Sequence, residues 1–348
     1  MTEQDGGGVD DVSPYERDIA EQPEALSTFI ESPHPERIAD RSVQEYERVI
    51  VTGMGSSHYA GVRTWRRLVA QGIPAWWIDT AALLESPALI TPETLLIATS
   101  QSGASGETVA LLESLAQDHA SPETIGITND ESSPLARLST HVIPLHSGEE
   151  ATVSTKSYVN SLAAHEYLAG ALLGCDWPRL WNDLRDGVEA LLAPVTLSPR
   201  ALAGASANDA RIAVIGAGDQ VATALFGGLI LKEAAKVPAE GFLAGNFRHG
   251  PLEIAGPGLT AVVVGLEDGE DGESLRRLAA DIADTGASVV TFGTATVPGC
   301  EPVTASAYDG FAGLVAGAEL CHRICVQVAL GRGLVPGQFR FGQKVTGL

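Results

Sequence analysis

The sequence predicts an α/β fold of two doubly wound parallel sheets in tandem, and three observations predict it. Short apolar, β-branched runs alternate with helical patterns, as in parallel sheets covered by helices on both faces. A strand that runs into a Gly- or Ser-rich turn and then a helix start occurs at residues 48–57, 94–108 and again at 211–219, so the same unit is present twice. The chain has 348 residues, 45% of them hydrophobic, enough for two cores.

In order, residues 1–13 are rich in Gly and Asp without periodicity and read as a disordered tail. Residues 15–32 read as an arm carrying Ile19-Ala20-Glu21-Gln22-Pro23, then a helix with Leu26 and Ile30; Pro23 suits its first turn. Residues 48–57 read as a short β-branched run ending in a Gly/Ser turn, after which 58–69 continues as a helix. Strands follow at 75–78, 95–98, 124–128 and 141–145, with helical patterns between them. Residues 149–156 open a long apolar helix that ends at Leu173. Pro194, Ser198 and Pro199 mark 192–207 as a linker. A strand at 211–215, a helix at 221–237, strands at 260–265 and 288–292 and a helix at 310–330 make the second copy. The expected organisation is a tail and arm over 1–44, domains over 45–195 and 205–335, and a C-terminal tail over 336–348.

Lys and Arg total 22 against 44 Asp and Glu, a formal charge of −22, which argues against nucleic acid and anionic membranes as partners. An anionic ligand must therefore be held by local groups. Cys175, Cys300, Cys321 and Cys325 contain no C-x-x-C pair, which suits reduced thiols, and Cys321, His322 and Cys325 make no zinc pattern; no metal or cofactor is expected. No apolar run reaches membrane-spanning length and the N-terminus lacks signal-peptide form, so the expected location is cytoplasmic.

The stretch richest in chemistry is Ser100-Gln101-Ser102-Gly103-Ala104-Ser105, between an apolar run and a helix start. Such a turn aims free N–H groups, the positive end of a helix dipole and serine hydroxyls at one point, which suits a phosphate monoester; the alternative is a simple N-cap. It has no lysine and lacks the G-x-x-x-x-G-K-[ST] spacing, which favours a small sugar phosphate over ATP. Gly216-Ala217-Gly218 lacks the third glycine of a dinucleotide site, Val221 standing in its place.

Several segments then follow one another in a telling order: Glu21-Gln22-Pro23, Gly55-Ser56-Ser57-His58-Tyr59-Ala60-Gly61, Ser100-Gln101-Ser102-Gly103, Val153-Ser154-Thr155-Lys156 and the turn at 216–220. Leu231-Lys232-Glu233, Ala239-Glu240-Gly241-Phe242 and Arg248-His249-Gly250-Pro251-Leu252 complete the set. Their order and spacing, over almost the whole chain, resemble the SIS (sugar isomerase) family. The resemblance is to the two-domain isomerase half of glutamine:fructose-6-phosphate aminotransferases and to stand-alone amino sugar phosphate deaminases and deglycases. It implies two SIS domains, a small-molecule sugar phosphate as ligand, and a homodimer with shared active sites.

By this resemblance, Glu233 matches the family's proton-shuttling glutamate and His249 a ring-opening histidine supplied by the neighbouring subunit. Ser56, Ser57, Ser100, Gln101, Ser102 and Ser105 match phosphate and sugar contacts, Ser105 keeping the hydroxyl of a threonine. Val153 and Ser154 match contacts to the sugar, and Glu149 a carboxylate able to recognise an amine. Lys344 matches the tail lysine that forms a Schiff base in the synthases, with a longer gap after Pro336. Lys156 supports its loop, and Arg340 shares the anionic site. By pattern alone Glu233 also reads as a surface glutamate beside Lys232, His249 as a loop histidine, and Lys344 as a frayed terminal lysine.

Two departures bear on function: no glutaminase segment precedes the arm, and Ile230 stands where the synthases have a lysine. The implied activity is an amino sugar phosphate deaminase or isomerase acting on a hexosamine 6-phosphate, such as glucosamine 6-phosphate to fructose 6-phosphate and ammonia. An aldose–ketose isomerase, a fructosamine-type deglycase and a non-catalytic regulator are the alternatives. The chemistry asks for a ring-opening acid/base, a phosphate anchor and a carboxylate whose pKa burial raises.

Overall fold

The computed structural model describes residues 12–35, 38–117, 121–198, 202, 204–269, 272–342 and 344. The tail expected over 1–13 lies outside these as far as Asp11, as do Pro199 of the linker and Gln343 of the C-terminal tail. Ser13 is inside them and caps helix α1 (Pro14–Ala20) through a reciprocal pair of bonds with Glu16. Helix α2 (Gln22–Glu31) starts on Pro23, as the sequence predicts.

The first sheet consists of parallel strands β1 (Arg48–Gly53), β2 (Ala75–Trp77), β3 (Thr94–Thr99), β4 (Glu123–Thr128) and β5 (His141–Pro144), in the order β2-β1-β3-β4-β5. Helices α3 (Gly55–Ala60), α4 (Val62–Ala70), α5 (Thr80–Glu85), α6 (Gly106–Gln117) and α7 (Pro134–Leu138) connect the strands. One helix is expected over 58–69; two form, because the turn residues Gly55 to Ser57 are themselves the first turn of α3 and the chain restarts at Val62. The long apolar helix α8 (Lys156–Leu173) is as expected, whereas α9 (Trp177–Leu192) is an addition whose start signals are the Asp176 cap and Pro178.

The second sheet has β6 (Arg211–Gly216), β7 (Ala239–Leu243), β8 (Leu259–Leu266), β9 (Ser288–Gly293) and β10 (Glu301–Pro302) in the order β10-β9-β8-β6-β7. Its helices are α10 (Val221–Ala235), α11 (Ala244–Phe247), α12 (Glu273–Asp284) and α13 (Gly310–Gly331). Counted from β6, this is the strand order 2-1-3-4-5 of the first sheet. The sequence reading passed over β7, which carries Gly241. There a Cβ would lie 2.4 Å from the Ala224 carbonyl oxygen, while one at Gly228 of α10 would lie 2.3 Å from the Gly241 nitrogen. Two facing glycines thus let α10 touch β7 backbone to backbone.

The facing sides of the two units share one core, in which α2, α8, α9, α10 and α13 bury Phe29, Tyr158, Phe226, Leu314 and their neighbours. Contrary to expectation, one helix is long and apolar enough to cross a membrane: α13, with 22 residues. Yet 78% of its apolar window is buried inside the protein, as in the central helix of a core. Beside the core, Glu166 of α8 receives Arg63 Nε at 2.5 Å and Arg67 at 2.7 Å. Arg63 and Arg66 also bond Asp219 before α10, so ion pairs join the two units. All four cysteines are free, Cys321 and Cys325 buried and Cys175 and Cys300 half-buried.

Three buried histidines make this assembly acid-sensitive. His165 sits between the Thr64 hydroxyl (2.8 Å) and the Thr99 hydroxyl (3.0 Å), and burial lowers its pKa to about 3. His322, bonded to the Tyr15 hydroxyl at 2.8 Å, is likewise lowered by burial to about 3. His58, stacked on Trp77 at 4.1 Å, is lowered by burial to about 4. Folded values below the ordinary 6.5 mean that the unfolded chain takes up these protons first, so stability is full above that pH and lost below it. The denaturant midpoint is expected to fall steadily from pH 6.5 to 4; a constant midpoint over that range would contradict the burial of neutral imidazoles.

Candidate active site

A cavity of about 270 Å³ opens at the carboxyl ends of β1 and β3, the switch point at which doubly wound sheets bind ligands. Its walls bring together Ser56 and Ser57 of α3, Ser100, Gln101, Ser102 and Ser105 after β3, Val153 and Ser154 before α8, Glu233 of α10, and Lys344. The Ser56 and Ser154 hydroxyls lie 2.8 Å apart and tie two of these loops together.

The turn after β3 is held by its own backbone. Ser100 N–H donates to the Ile127 carbonyl at 3.0 Å, Gly103 N–H to the Ser100 carbonyl at 3.0 Å, and Ala104 N–H to the Ser102 hydroxyl at 3.2 Å. Gly103 has φ +62°, and a Cβ there would sit 2.0 Å from the Ser133 hydroxyl oxygen. The turn can therefore close on the loop before α7 only with glycine at this position. It leads straight into α6, whose start borders the cavity through Ser105 and Glu107, and the first N–H groups of a helix have no helical acceptor of their own.

Glu233 comes from the other unit. Helix α10 lies against α3, which carries the carboxylate to the serine turns. Glu233 is half-buried, and burial pushes its pKa up, against the downward pull of Lys236, Lys344 and Lys232. A carboxyl group raised in this way is suited to exchanging protons near neutral pH.

Lys344 lies at the cavity with its Nζ 2.5 Å from Glu150 Oε2 and 2.6 Å from the Thr152 carbonyl oxygen. Lys156 faces away: it pairs with Asp18 at 3.1 Å and Glu21 at 2.5 Å and donates to the Glu149 carbonyl at 2.6 Å, which fastens the arm to the loop. Sequence reasoning missed Glu150, Thr152, Glu107 and Phe339. Thr152, Glu107 and Phe339 line the cavity, and the Ser105 hydroxyl donates to Glu107 at 3.3 Å. The spacing of Glu107 within the helix start was the available signal.

Three expected residues are placed elsewhere. Glu149 is exposed and borders a separate cavity of about 770 Å³ between arm and loop. Glu150, the next residue, borders the same cavity, but its side chain is fully buried and pairs with Lys344. His249 is exposed after α11 and does not line the cavity within this chain. Arg340 is exposed on the tail, also outside the lining. Among the described residues, one group offers metal-ligand geometry, Asp40, Glu123 and His141, with ligand atoms within 4.8 Å of one another. Glu123 and His141 begin β4 and β5, at the end of the sheet opposite the cavity.

Two doubly wound units, with a hydroxyl-lined cavity at the first switch point, define a class of tandem α/β domains. The SIS domain family model matches residues 43–171 and 206–293, and the chain belongs to the SIS family. It is 32% identical over 259 residues to the glutamine--fructose-6-phosphate aminotransferase [isomerizing] of Pyrococcus horikoshii, covering 71% of this chain and 42% of that protein. The Streptomyces coelicolor enzyme of the same name is 29% identical over 277 residues, 71% of this chain and 43% of its own. The match thus spans less than half the length of these relatives. Among solved structures, the C-terminal domain of glucosamine-fructose-6-phosphate aminotransferase from Francisella tularensis superposes with a TM-score of 0.79 at 20% identity, covering 94% of this chain and 98% of that one. A glucosamine-6-phosphate deaminase from Thermotoga maritima gives 0.74 at 18% identity, covering 97% and 100%.

The turn itself provides a test. Gly103→Ala is expected to cost about 1–3 kcal/mol of stability, from left-handed strain and the clash at Ser133, and to weaken binding of any phosphate ligand. Denaturant melts and phosphate-ester titration of the variant would measure both; unchanged values would show that the turn tolerates a side chain.

Proposed function

We propose that the chain is a phosphosugar isomerase that acts on a hexose 6-phosphate bearing nitrogen at C2 and releases that nitrogen as ammonia or an amine. The observation that carries this reading is Glu233, a half-buried carboxylate of raised pKa facing a turn lined with hydroxyls and N–H groups. The turn suits the phosphate, and the carboxylate suits a C–H proton. The charged side chains of the lining are Glu107, Glu233 and Lys344, and Lys344 is already paired with Glu150. Glu233 therefore makes the side of the cavity next to α10 acidic, which favours a substrate carrying a cationic amine there. The similar aminotransferases and the deaminase of like fold, named for fructose 6-phosphate and glucosamine 6-phosphate, support the same substrate class.

On this reading the sugar ring opens, and Glu233 removes the proton from C2 and returns it to C1, leaving an imine at C2. Water then adds to C2 and ammonia leaves, giving the ketose phosphate. Ring opening needs a second acid/base. His249 would supply it across a homodimer, since it is exposed and outside its own chain's cavity.

Ammonia release from glucosamine 6-phosphate, galactosamine 6-phosphate and N-linked fructosamine phosphates, with products identified by NMR, is the deciding assay. Ammonia with a ketose phosphate is expected; release of an amine or amino acid instead would make the protein a deglycase. Glu233→Gln is expected to abolish turnover while sugar phosphate binding persists, and the wild-type acid limb should lie above the ordinary carboxylate value of 4.5, because turnover needs the ionised form. Turnover retained by the variant would remove Glu233 from the mechanism. The exposed position of His249 also suits a sugar-phosphate sensor, for which the expected result is thermal stabilisation by the same phosphates with no product.

Sharing of the site is testable by mixing. Glu233→Gln and His249→Asn chains, each inactive alone, should regain about a quarter of wild-type activity when refolded together, since half the dimers would hold one intact site. No recovery would argue that each chain works alone.

A further inference from the structure

The position of Lys344 depends on a carboxylate outside the cavity lining. The Glu150 side chain has no exposed surface. Its Oε1 accepts from Thr155 N–H at 2.7 Å, the Thr155 hydroxyl at 2.8 Å and Ser157 N–H at 3.1 Å, and its Oε2 from the Ser157 hydroxyl at 2.7 Å. Four donors from the start of α8 thus fix the carboxylate before Lys344 arrives, and α8, 18 residues long, presents its positive dipole end there. The fifth donor is Lys344 Nζ, at 2.5 Å from Oε2.

Burial alone would push the pKa of Glu150 up. The Lys344 ammonium and the Ser157 bonds outweigh it and hold the group below its ordinary value, so it is charged at neutral pH. Charged or titratable groups near this pair are Glu233 of α10, which feels Lys344, and His322 of α13, which feels Glu150. The tail has a second anchor, Gly337 N–H on the Ala234 carbonyl at 3.1 Å, and Phe339 lines the cavity between the two anchors.

We propose that Glu150 is a positioning residue that seats Lys344 and so holds the C-terminal tail across the cavity, with the amine hydrogens committed to Glu150 and the Thr152 carbonyl. An ammonium held this way must give up a proton before its nitrogen can attack a carbonyl carbon, and its bonded partner is already the buried carboxylate. The lysine therefore serves as a fixed positive charge beside the sugar and not as an imine-forming nucleophile. This last role rests on the sugar-phosphate reading; the seating of the lysine does not.

Reductive methylation tests the seating directly. The amine nitrogen adds to formaldehyde, water leaves, and cyanoborohydride delivers hydride to give the methylated amine. The chain has four lysines, Lys156, Lys232, Lys236 and Lys344, so peptide mass spectrometry resolves each, and the exposed Lys232 is an internal reference. In the wild type Lys344 should react slower than Lys232 by roughly tenfold or more, as an opposite charge at hydrogen-bond distance would give, and Glu150→Gln should remove most of that difference. Equal protection in Glu150→Gln would overturn the role of Glu150, leaving burial by the tail as the cause. Should that variant not fold, the wild type still decides: Lys344 reacting as fast as Lys232 would overturn the proposal. Formaldehyde needs no sugar-phosphate site, so this outcome and that of the ammonia assay are independent.

Discussion

The contact of α10 with α3 decides whether there is a site at all. Hydroxyl turns belong to the first unit and Glu233 to the second, so nothing in either sheet alone brings the carboxylate and the serine turns together. The contact rests on the shared core and on the facing glycines, Gly228 and Gly241, that let α10 settle onto β7. Glu233 lies little more than one turn beyond Gly228, so a displacement of the helix there would move the carboxylate with it. Arg63, reaching both Glu166 and Asp219, fixes the same helix start from the other side.

On the proposed function, a protein of charge −22 holds an anion and has to solve the problem within a few ångströms. It does so without a free cation in the lining. Serine hydroxyls, the turn after β3 and the start of α6 line the cavity and would receive the phosphate, while Lys344 has its charge matched by Glu150. Such donors are neutral and fixed, so they stabilise a phosphate ester without drawing in other anions from solution. Glu233, brought from α10, would on the same reading favour a substrate with positive charge away from its phosphate.

Local pattern made the strands, the serine turns and the helix starts legible, because each is specified by residues within a few positions of one another. Ser56, Ser102 and Glu233 could be named from their motifs, and the structure gathers them at one cavity. What stayed illegible depends on partners far along the chain. Glu150 looks like an ordinary acidic loop residue until Lys344, 194 positions later, is seen against it. Glu149 and Glu150 are adjacent and identical in type, and only the direction of the loop separates the exposed one from the buried one. Strand β7 was hidden because Gly241, a weak strand former, is required there by the helix lying on it. Glu319, His322 and Arg323 interrupt the apolar run of α13 in the sequence, yet the core buries the first two.

The duplicated topology gives the second unit a switch point of its own, between β6 and β8, and a side chain packs there. Gln220 is buried there, its amide nitrogen donating to the Tyr308 carbonyl at 3.3 Å and its amide oxygen accepting from the Thr223 hydroxyl at 2.6 Å. Gly265 at the end of β8 and Gly317 of α13 come so close that a Cβ on either would lie within 3.2 Å of it. The preceding residue, Asp219, is taken by Arg63 and Arg66. The turn that would receive a ligand in the second unit is thus used to bind the first unit. The turn after β6 thereby holds α10, and with it Glu233, over the crevice of the first unit.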